Sequence, residues 1–244
     1  MPKLLDAINK AQNDLNNSQA MLERDRLLPV PAARTNTHLA PTRINSLRNQ
    51  VLRHHRERGV KIIMLTGAYP DDGTTTTAVS LATTLSMDCG LKILLTDADL
   101  QSPKLHDVFK TSPSDGLTDP ANNFAGSISG KKVGPGELYF LPAGKSGHAG
   151  DGYFDSRRFL DFLGVSRKNF DFVNLDTAPV LSHPDSLAIC SKIDGVIIVI
   201  AHGKVRRQAA QRLKAILENA GANLLGVVVN RRRHYIPEWI YNKL

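Results

Sequence analysis

The chain has 244 residues, of which 41% are hydrophobic and 22% charged, the balance of an ordinary globular protein. This length suffices for one large domain with a buried core. No run approaches about 18 consecutive apolar residues, and the first residues lack a signal-peptide pattern, so neither a transmembrane helix nor secretion is predicted. Cys89 and Cys190 lie far apart among apolar residues. They favour buried free thiols in a reducing compartment, which predicts a cytoplasmic protein.

The net charge of +8 is concentrated at the two ends of the chain. Residues 1–60 hold ten Lys or Arg against five Asp or Glu, residues 201–244 hold nine against two, and residues 61–200 are net acidic. A protein that is basic only at its ends is expected to meet an anionic surface or an acidic partner there. A specific nucleic-acid partner is not predicted, because the chain has no recognisable nucleic-acid-binding module.

The first 60 residues predict two helices separated by a linker. An amphipathic helix is predicted over residues 4–22 within an N-terminal extension, 1–27. Residues 28–41 contain three prolines and no apolar period, which is typical of a linker. A basic helix is predicted over 42–58, at the start of the main domain, 42–244. The stripe of the first helix consists of Leu4, Leu5, Ile8, Ala11, Leu15 and Leu22.

The rest of the chain alternates short apolar runs with helical segments. Such runs, which do not alternate with polar residues, are typical of a parallel sheet covered on both faces. The fold class is therefore predicted as α/β, with a doubly wound, mostly parallel sheet flanked by helices and an N-terminal helical extension. Residues 111–135 are predicted to form a loop over the edge of the sheet. The predicted strands are 60–66, 91–96, 137–141, 170–175, 196–201 and 224–229, with helices over 74–88, 155–164 and 204–220.

The turn after the first predicted strand resembles a phosphate-binding loop, which reads G-x-x-x-x-G-K-[ST]. Gly73 and the hydroxyl of Thr75, a candidate Mg²⁺ ligand, are present, but the lysine position holds Thr74. The candidate phosphate contacts are Gly73 with Thr74, Thr75 and Thr76, at the start of a helix. The carboxylates of Asp71 and Asp72 are expected to repel a phosphate. The segment alone is equally consistent with a strand-to-helix turn capped by threonines.

Carboxylates follow the second and fourth predicted strands. Asp97 and Asp99 are candidates for holding Mg²⁺ or activating a hydroxyl, and Asp176 has the position of a Walker B carboxylate. Ligands of parallel sheets bind at this carboxyl edge, although Asp residues there can also cap turns. Asn230 and Arg231 follow the sixth predicted strand and either contact a purine base or simply end the strand.

Taken in order, these segments resemble the bacterial tyrosine autokinases (BY-kinases) of capsule and exopolysaccharide export. The resemblance covers roughly residues 40–244. It implies ATP or ADP with Mg²⁺ as ligands, Asp97, Asp99 and Asp176 as catalytic carboxylates, and Thr75, Asp97 and Asp176 as metal ligands. It also implies base recognition by Asn230 and Arg231 and a membrane polysaccharide co-polymerase as partner. The segments are the P-loop-like turn, LLTDADLQSP, FVNLDTAPV, DGVIIVI and GVVVNR.

Three family features are altered in this chain. The family's Pro-Gly-Glu-Gly-Lys-Ser is replaced by residues 70–75, which lack its first glycine and its lysine. The oligomerisation motif Glu-x-x-Arg-x-x-Arg is reduced to Arg48, with Thr42 and Asn45 at the other two positions, so the family's ring-shaped homo-oligomer is not assured. The terminal tyrosine cluster is reduced to two residues. Loss of all three favours a protein that kept the fold and lost the reaction.

The tail, 231–244, is basic and aromatic, and includes the single tryptophan. Arg and aromatic residues are typical interface anchors, so a docking role is predicted for this segment. Packing on its own domain and contact with lipid are the alternatives. The predicted partner-binding residues are Arg232, Arg233, Tyr235, Trp239 and Tyr241.

The leading functional prediction is a pseudo-kinase, recruited to the inner face of the inner membrane, that regulates a polysaccharide co-polymerase. The first alternative is an active ATP-dependent tyrosine autokinase or ATPase that binds phosphate through backbone N–H groups alone. A positioning ATPase of the partitioning type ranks lower, because it also needs the lysine.

Overall fold

A computed structural model describes residues 41–231, apart from 121, 123, 135 and 146–151. The predicted N-terminal helix, the linker up to residue 40 and the tail from Arg232 onward lie outside the described residues. Within them, no helix is long and apolar enough to cross a membrane. Cys190 is buried as predicted, whereas Cys89 is only partly buried.

The described chain alternates strands and helices as the sequence predicted. The strands are β1 Ile62–Gly67, β2 Ile93–Ala98, β3 Lys131–Lys132, β4 Leu138–Leu141, β5 Phe172–Thr177, β6 Gly195–Ala201 and β7 Leu224–Asn230. The α-helices are α1 Pro41–Arg58, α2 Thr74–Cys89, α3 Leu105–Val108, α4 Arg157–Asn169 and α5 Arg207–Asn219. Two 3₁₀ segments, Tyr153–Asp155 and Pro184–Lys192, complete the described elements. The six predicted strands and four predicted helices over 42–220 are confirmed, with shifts of a few residues at their ends.

The seven strands form one sheet in the order β3-β4-β2-β5-β1-β6-β7. Every pair is parallel except β3 with β4, which is antiparallel. The predicted doubly wound, mostly parallel sheet is therefore confirmed. Strand β3 was not predicted, because two lysines carry no apolar signal and only the backbone of β4 holds them in the sheet.

Each face of the sheet carries its own hydrophobic cluster. Phe159 and Phe162 of α4 and Leu213 of α5 pack on one face, together with Met64 of β1. The other cluster contains α1 and α2, which contribute side chains such as Val51 and Leu81. Strands β1, β2 and β5 are buried at every position, as expected for strands covered from both sides.

Residues 111–135 pack more tightly than the predicted surface loop. Leu117 and Phe124 belong to the hydrophobic core. The hydroxyl of Tyr153 donates to the carbonyl of Leu117, and the ring of Phe124 lies edge-on to Phe162 at 5.3 Å. The Gly- and Ser-rich composition predicted the loop but not the two apolar residues that anchor it in the core.

Candidate functional site

The predicted site residues meet at the carboxyl edge of the sheet. Asp97 is the direct neighbour of Asp176 in the register of β2 and β5, and Leu65 of β1 lies on the other side of Asp176. The loop 68–73 connects β1 to α2 at the same edge. Parallel strands bring their carboxyl ends to one side, so residues that are distant in sequence become neighbours here.

The loop between β1 and α2 is folded around its own carboxylate. Asp72 is fully buried. Its Oδ2 accepts hydrogen bonds from the backbone N–H groups of Ala68 and Tyr69, each at 3.0 Å, and its Oδ1 accepts from Ala201 N–H at 3.3 Å. Repulsion of a phosphate by Asp72 stays a prediction, and the structure adds that the oxygens of this carboxylate close the loop. Asp71 is exposed and adopts a φ of 66°.

Asn230, the last residue of β7, binds this loop through a hydrogen bond. Its Nδ2 donates to the carbonyl of Asp72 at 3.0 Å, and its Oδ1 accepts from the N–H of Arg231 at 2.8 Å. Gly73 adopts a φ of 91°, and a Cβ there would lie 1.9 Å from Asn230 Nδ2. Glycine is therefore required for two reasons, conformation and space. Base recognition by Asn230 and Arg231 stays a prediction, and the structure gives the Asn230 amide a second role.

Asp97 is buried at the end of β2. Its Oδ2 accepts from the N–H groups of Lys104 and Leu105 at 3.0 and 2.9 Å, and its Oδ1 accepts from Asp99 N–H at 3.2 Å. Burial raises the pKa of Asp97 to about 7, against the opposing hydrogen bond from Leu105, and the nearby charge of Asp99 adds to the rise. Asp97 thus closes the turn before α3 and also contributes a titratable group to the site.

Asp176 is the most isolated carboxylate of the site. Its Oδ1 is buried and has no hydrogen-bond partner in the described residues. Burial, followed by the charge of Asp97, raises the pKa of Asp176 well above its ordinary value, and a hydrogen bond with Thr75 opposes this shift. A cation beside Asp176 would oppose this rise, because it would stabilise the charged carboxylate.

These residues fit a magnesium ion bound with a nucleotide. Mg²⁺ in such sites takes one or two protein oxygens and completes its shell with water and phosphate oxygens. Thr75 and the orphaned oxygen of Asp176 offer that donor set, next to Asp97. No group of three or more His, Cys, Asp or Glu side chains that could hold a metal occurs within the described ranges. A metal here would therefore depend on ligands from the nucleotide and water.

The start of α2 is the candidate phosphate site. The helix begins at Thr74, so the first backbone N–H groups, including those of Thr75 and Thr76, have no partner one helical turn earlier. Thr74 itself is buried, and a Cβ placed on Gly67 would lie 2.9 Å from its Oγ1. The side chain at the predicted lysine position is thus an uncharged group directed toward Gly67.

Two features of the site were missed by sequence reasoning. Lys204, after β6, extends to the loop and donates from Nζ to the carbonyl of Pro70 at 2.6 Å. Lys104 is close enough to lower the pKa of Asp176. Neither lysine belongs to a motif, and only the folding of the β6–α5 and β2–α3 connections shows that they face the loop and the carboxylates.

Of the remaining predicted residues, Asp99 lies beside Asp97, and the others lie nearer the surface or outside the described residues. Asp99 is partly exposed, and its Oδ1 accepts from Ser102 N–H at 2.9 Å. Arg231 is exposed with a φ of 55°. Arg48, the retained oligomerisation residue, is paired with Asp88 of α2 in its own chain. The predicted partner-binding residues of the tail, from Arg232 to Tyr241, are not described.

Comparison with known proteins agrees with this architecture. Residues 63–235 match the CobQ/CobB/MinD/ParA nucleotide binding domain family. The tyrosine-protein kinase CpsD of Streptococcus pneumoniae is 32% identical over 174 residues, which cover 70% of this chain and 76% of the relative. The tyrosine-protein kinase YwqD of Bacillus subtilis strain 168 is 29% identical over 203 residues, or 79% of this chain and 84% of the relative.

Solved structures support the same fold. The kinase domain of the Escherichia coli tyrosine kinase ETK aligns with a TM-score of 0.71 at 24% identity, over 88% of this chain and 87% of that domain. The resemblance predicted from the sequence motifs is confirmed. The chain belongs to the bacterial tyrosine kinase family, within the CobQ/CobB/MinD/ParA class of nucleotide-binding domains.

Proposed function

We propose that this protein is a nucleotide-responsive member of the BY-kinase family that does not transfer phosphate and that regulates a membrane polysaccharide co-polymerase. The observation that carries the proposal is Thr74. Phosphoryl transfer in P-loop enzymes depends on a lysine that contacts the β- and γ-phosphates and offsets the charge of the transition state. A buried, uncharged threonine directed toward Gly67 cannot supply this charge.

The rest of the site is suited to binding rather than catalysis. The start of α2 offers backbone N–H groups to a phosphate, and Thr75 with Asp176 offers oxygens to Mg²⁺. When bound, the metal would neutralise charge on the phosphates and on the carboxylates. Asp97 then serves mainly to hold the turn before α3, since two of its hydrogen bonds come from Lys104 and Leu105. Nucleotide binding at the start of α2 would provide the signal to the partner.

The proposed partner and location are supported by the family and by charge. BY-kinases act with co-polymerases of polysaccharide export, and this supports recruitment of the protein to the inner face of the membrane. The basic and aromatic tail residues Arg232, Arg233, Tyr235, Trp239 and Tyr241 would contact the cytoplasmic ends of the co-polymerase. Deletion of 232–244 is expected to abolish capture of the co-polymerase in a pull-down. Undiminished capture would remove the tail from the proposal.

Calorimetric titration with ATP and ADP, with and without Mg²⁺, tests the nucleotide part. Binding that requires Mg²⁺, weakens in Asp176→Asn and produces no phosphotyrosine is the expected result. Appearance of phosphotyrosine in the wild type would overturn the proposal. Absence of any binding at millimolar nucleotide would leave a scaffold without a nucleotide signal and would equally contradict it.

An active autokinase is the second candidate, favoured by the retained arrangement of Thr75, Asp97 and Asp176. Lys204 would be its source of positive charge, because its Nζ already contacts the loop at Pro70. This candidate predicts phosphotyrosine on Tyr235 or Tyr241 that disappears in Asp97→Asn and in Lys204→Ala. Lys204→Arg keeps the charge and serves as the matched control.

A further inference from the structure

A cavity lies between α5 and the 3₁₀ segment Pro184–Lys192, on the face of the sheet that α4 and α5 cover. Its volume of about 660 Å³ is typical of ligand sites in proteins. Val180 and Ile216 line it and belong to the hydrophobic cluster of that face, whereas α2 packs in the cluster of the other face. The cavity is therefore separate from the candidate phosphate site at the start of α2.

Most of the cavity lining is apolar. Val180 is buried, and Leu181, Leu187 and Ile216 are partly buried against the same cluster. The side chain of Tyr69, which belongs to the loop between β1 and α2, lines the cavity and is 38% exposed. Aliphatic side chains beside an exposed aromatic ring favour a ligand with a flat apolar body.

The charged part of the lining is purely cationic. Arg206, directly before α5, and Arg212, within it, both line the cavity and are exposed. Neither arginine makes an ion pair in the part of the chain that the structure describes. The described lining includes no Asp or Glu, and the nearby carboxylate of Asp185 accepts instead from Gln101 Nε2 at 3.0 Å. The cavity thus offers positive charge that no acid of its own lining neutralises.

This combination selects an anion that carries a large apolar group. Guanidinium groups pair with phosphate oxygens in a bidentate manner, and a phosphotyrosine carries a charge of about −1.5 to −2 at neutral pH. Side chains of Asp, Glu and phosphoserine place their charge on short aliphatic stems, so they would satisfy the arginines but leave the apolar lining in water. A neutral aromatic ring would cover the lining and leave the arginines unpaired. Phosphotyrosine satisfies both requirements.

We propose that the cavity between α5 and the segment Pro184–Lys192 binds a phosphotyrosine side chain of another protein. Arg206 and Arg212 pair with the phosphate, and the aromatic ring packs on Leu187 and Ile216 beside Tyr69. The site docks a partner and takes no part in phosphoryl transfer. This inference requires neither nucleotide binding nor a co-polymerase, so it stands independently of the proposed function.

Fluorescence anisotropy of labelled peptides tests the proposal with the full chain, without nucleotide. The probe is Gly-Ala-phosphotyrosine-Ala-Gly, and the comparison peptides carry tyrosine, phosphoserine or glutamate in place of the phosphotyrosine. The buffer contains about 150 mM salt, which screens attraction between distant charges. The phosphotyrosine peptide is expected to bind about tenfold more tightly than each comparison peptide, or better. Equal binding of the phosphoserine or glutamate peptide would overturn the proposal, because negative charge alone would then suffice.

Variants of α5 locate the binding site. Arg206→Ala combined with Arg212→Ala should weaken binding of the phosphotyrosine peptide by about tenfold or more, because both guanidinium partners of the phosphate are lost. Arg207→Ala combined with Lys214→Ala is the matched control, since it removes the same charge from exposed positions of α5 that do not line the cavity. Its affinity should stay within about twofold of the wild type. Equal losses in the two double variants would overturn the proposal, because net charge would then hold the peptide.

A change of shape without a change of charge gives a second, independent test. Ala209 lines the cavity, and Ala209→Trp should fill it and abolish binding of the phosphotyrosine peptide. Thermal unfolding checks that this variant is folded. Undiminished binding would place the peptide elsewhere on the protein and would contradict the proposal.

Discussion

Asp97 and Asp176 are side-by-side neighbours on β2 and β5, and both carboxylates are buried with raised pKa values. Two acids in this position are stable when one is protonated or when a cation lies between them and the solvent. The pair therefore couples the stability of the domain to pH.

The first prediction concerns pH. Asp97 has a pKa of about 7 in the folded protein against an ordinary value of 3.8, so the folded state holds this proton more tightly than the unfolded state. The resulting stabilisation is fully present below the ordinary pKa and is lost as pH rises through about 7, a change of up to about 4 kcal/mol. Asp97→Asn should remove this loss. Chemical denaturation of both proteins across this pH range measures it.

The control for this measurement is Asp107→Asn, which removes an exposed carboxylate from α3. Its pH dependence should match the wild type. If Asp97→Asn has the same slope as the wild type between pH 5 and 8, Asp97 is not the coupled group.

The second prediction separates the two neighbouring carboxylates of the loop. Asp72→Asn should lower the free energy of unfolding by about 2 kcal/mol, because one amide N–H must then face a backbone donor among Ala68, Tyr69 and Ala201. Asp71→Asn removes the same charge from an exposed position and should change stability by less than about 0.5 kcal/mol. Thermal and urea unfolding of both variants measure the difference in the free energy of unfolding. Similar losses in both variants would show that charge, rather than hydrogen bonding, is responsible.

The third prediction tests the contact between the loop and β7. Gly73→Ala should destabilise the domain by about 3 kcal/mol or more, because the methyl group meets Asn230 Nδ2 and the residue has a positive φ. Gly59→Ala is the matched control, since Gly59 also has a positive φ but its Cβ would meet no atom within 4 Å. Its cost should be about 1 kcal/mol. Equal costs, measured by urea unfolding, would mean that Asn230 moves aside freely.

The fourth prediction restores the missing charge. Thr74→Lys should raise the affinity for ATP with Mg²⁺ by about tenfold or more, because an ammonium group contacts the β- and γ-phosphates. Thr76→Lys adds the same charge at an exposed position, one residue beyond the candidate Mg²⁺ ligand Thr75, and should have a much smaller effect. Titration calorimetry compares the two. An unchanged affinity in Thr74→Lys would show that another part of the loop limits binding.

The sequence alone determined the sheet and the positions of its chemistry. Continuous apolar runs such as 196–201 indicate strands that are buried on both faces, and such strands predict a parallel sheet. Parallel strands end on the same side, which puts Asp97 and Asp176 at one edge of the sheet. The assignment of Thr74 to the lysine position of the loop stays a prediction from the motif.

Only the tertiary structure decided how the loop is held. Asn230 and Ala201 lie 158 and 129 positions from Asp72 in the sequence. No local sequence pattern therefore predicts the hydrogen bonds that Asp72 makes with them. The same holds for Lys204 at Pro70 and for the burial of Leu117 and Phe124. The periodicity of apolar residues predicts which face of a helix or strand is buried. The hydrogen-bond partner of a buried polar group depends instead on which strands lie side by side, and the packing of the whole sheet sets that order.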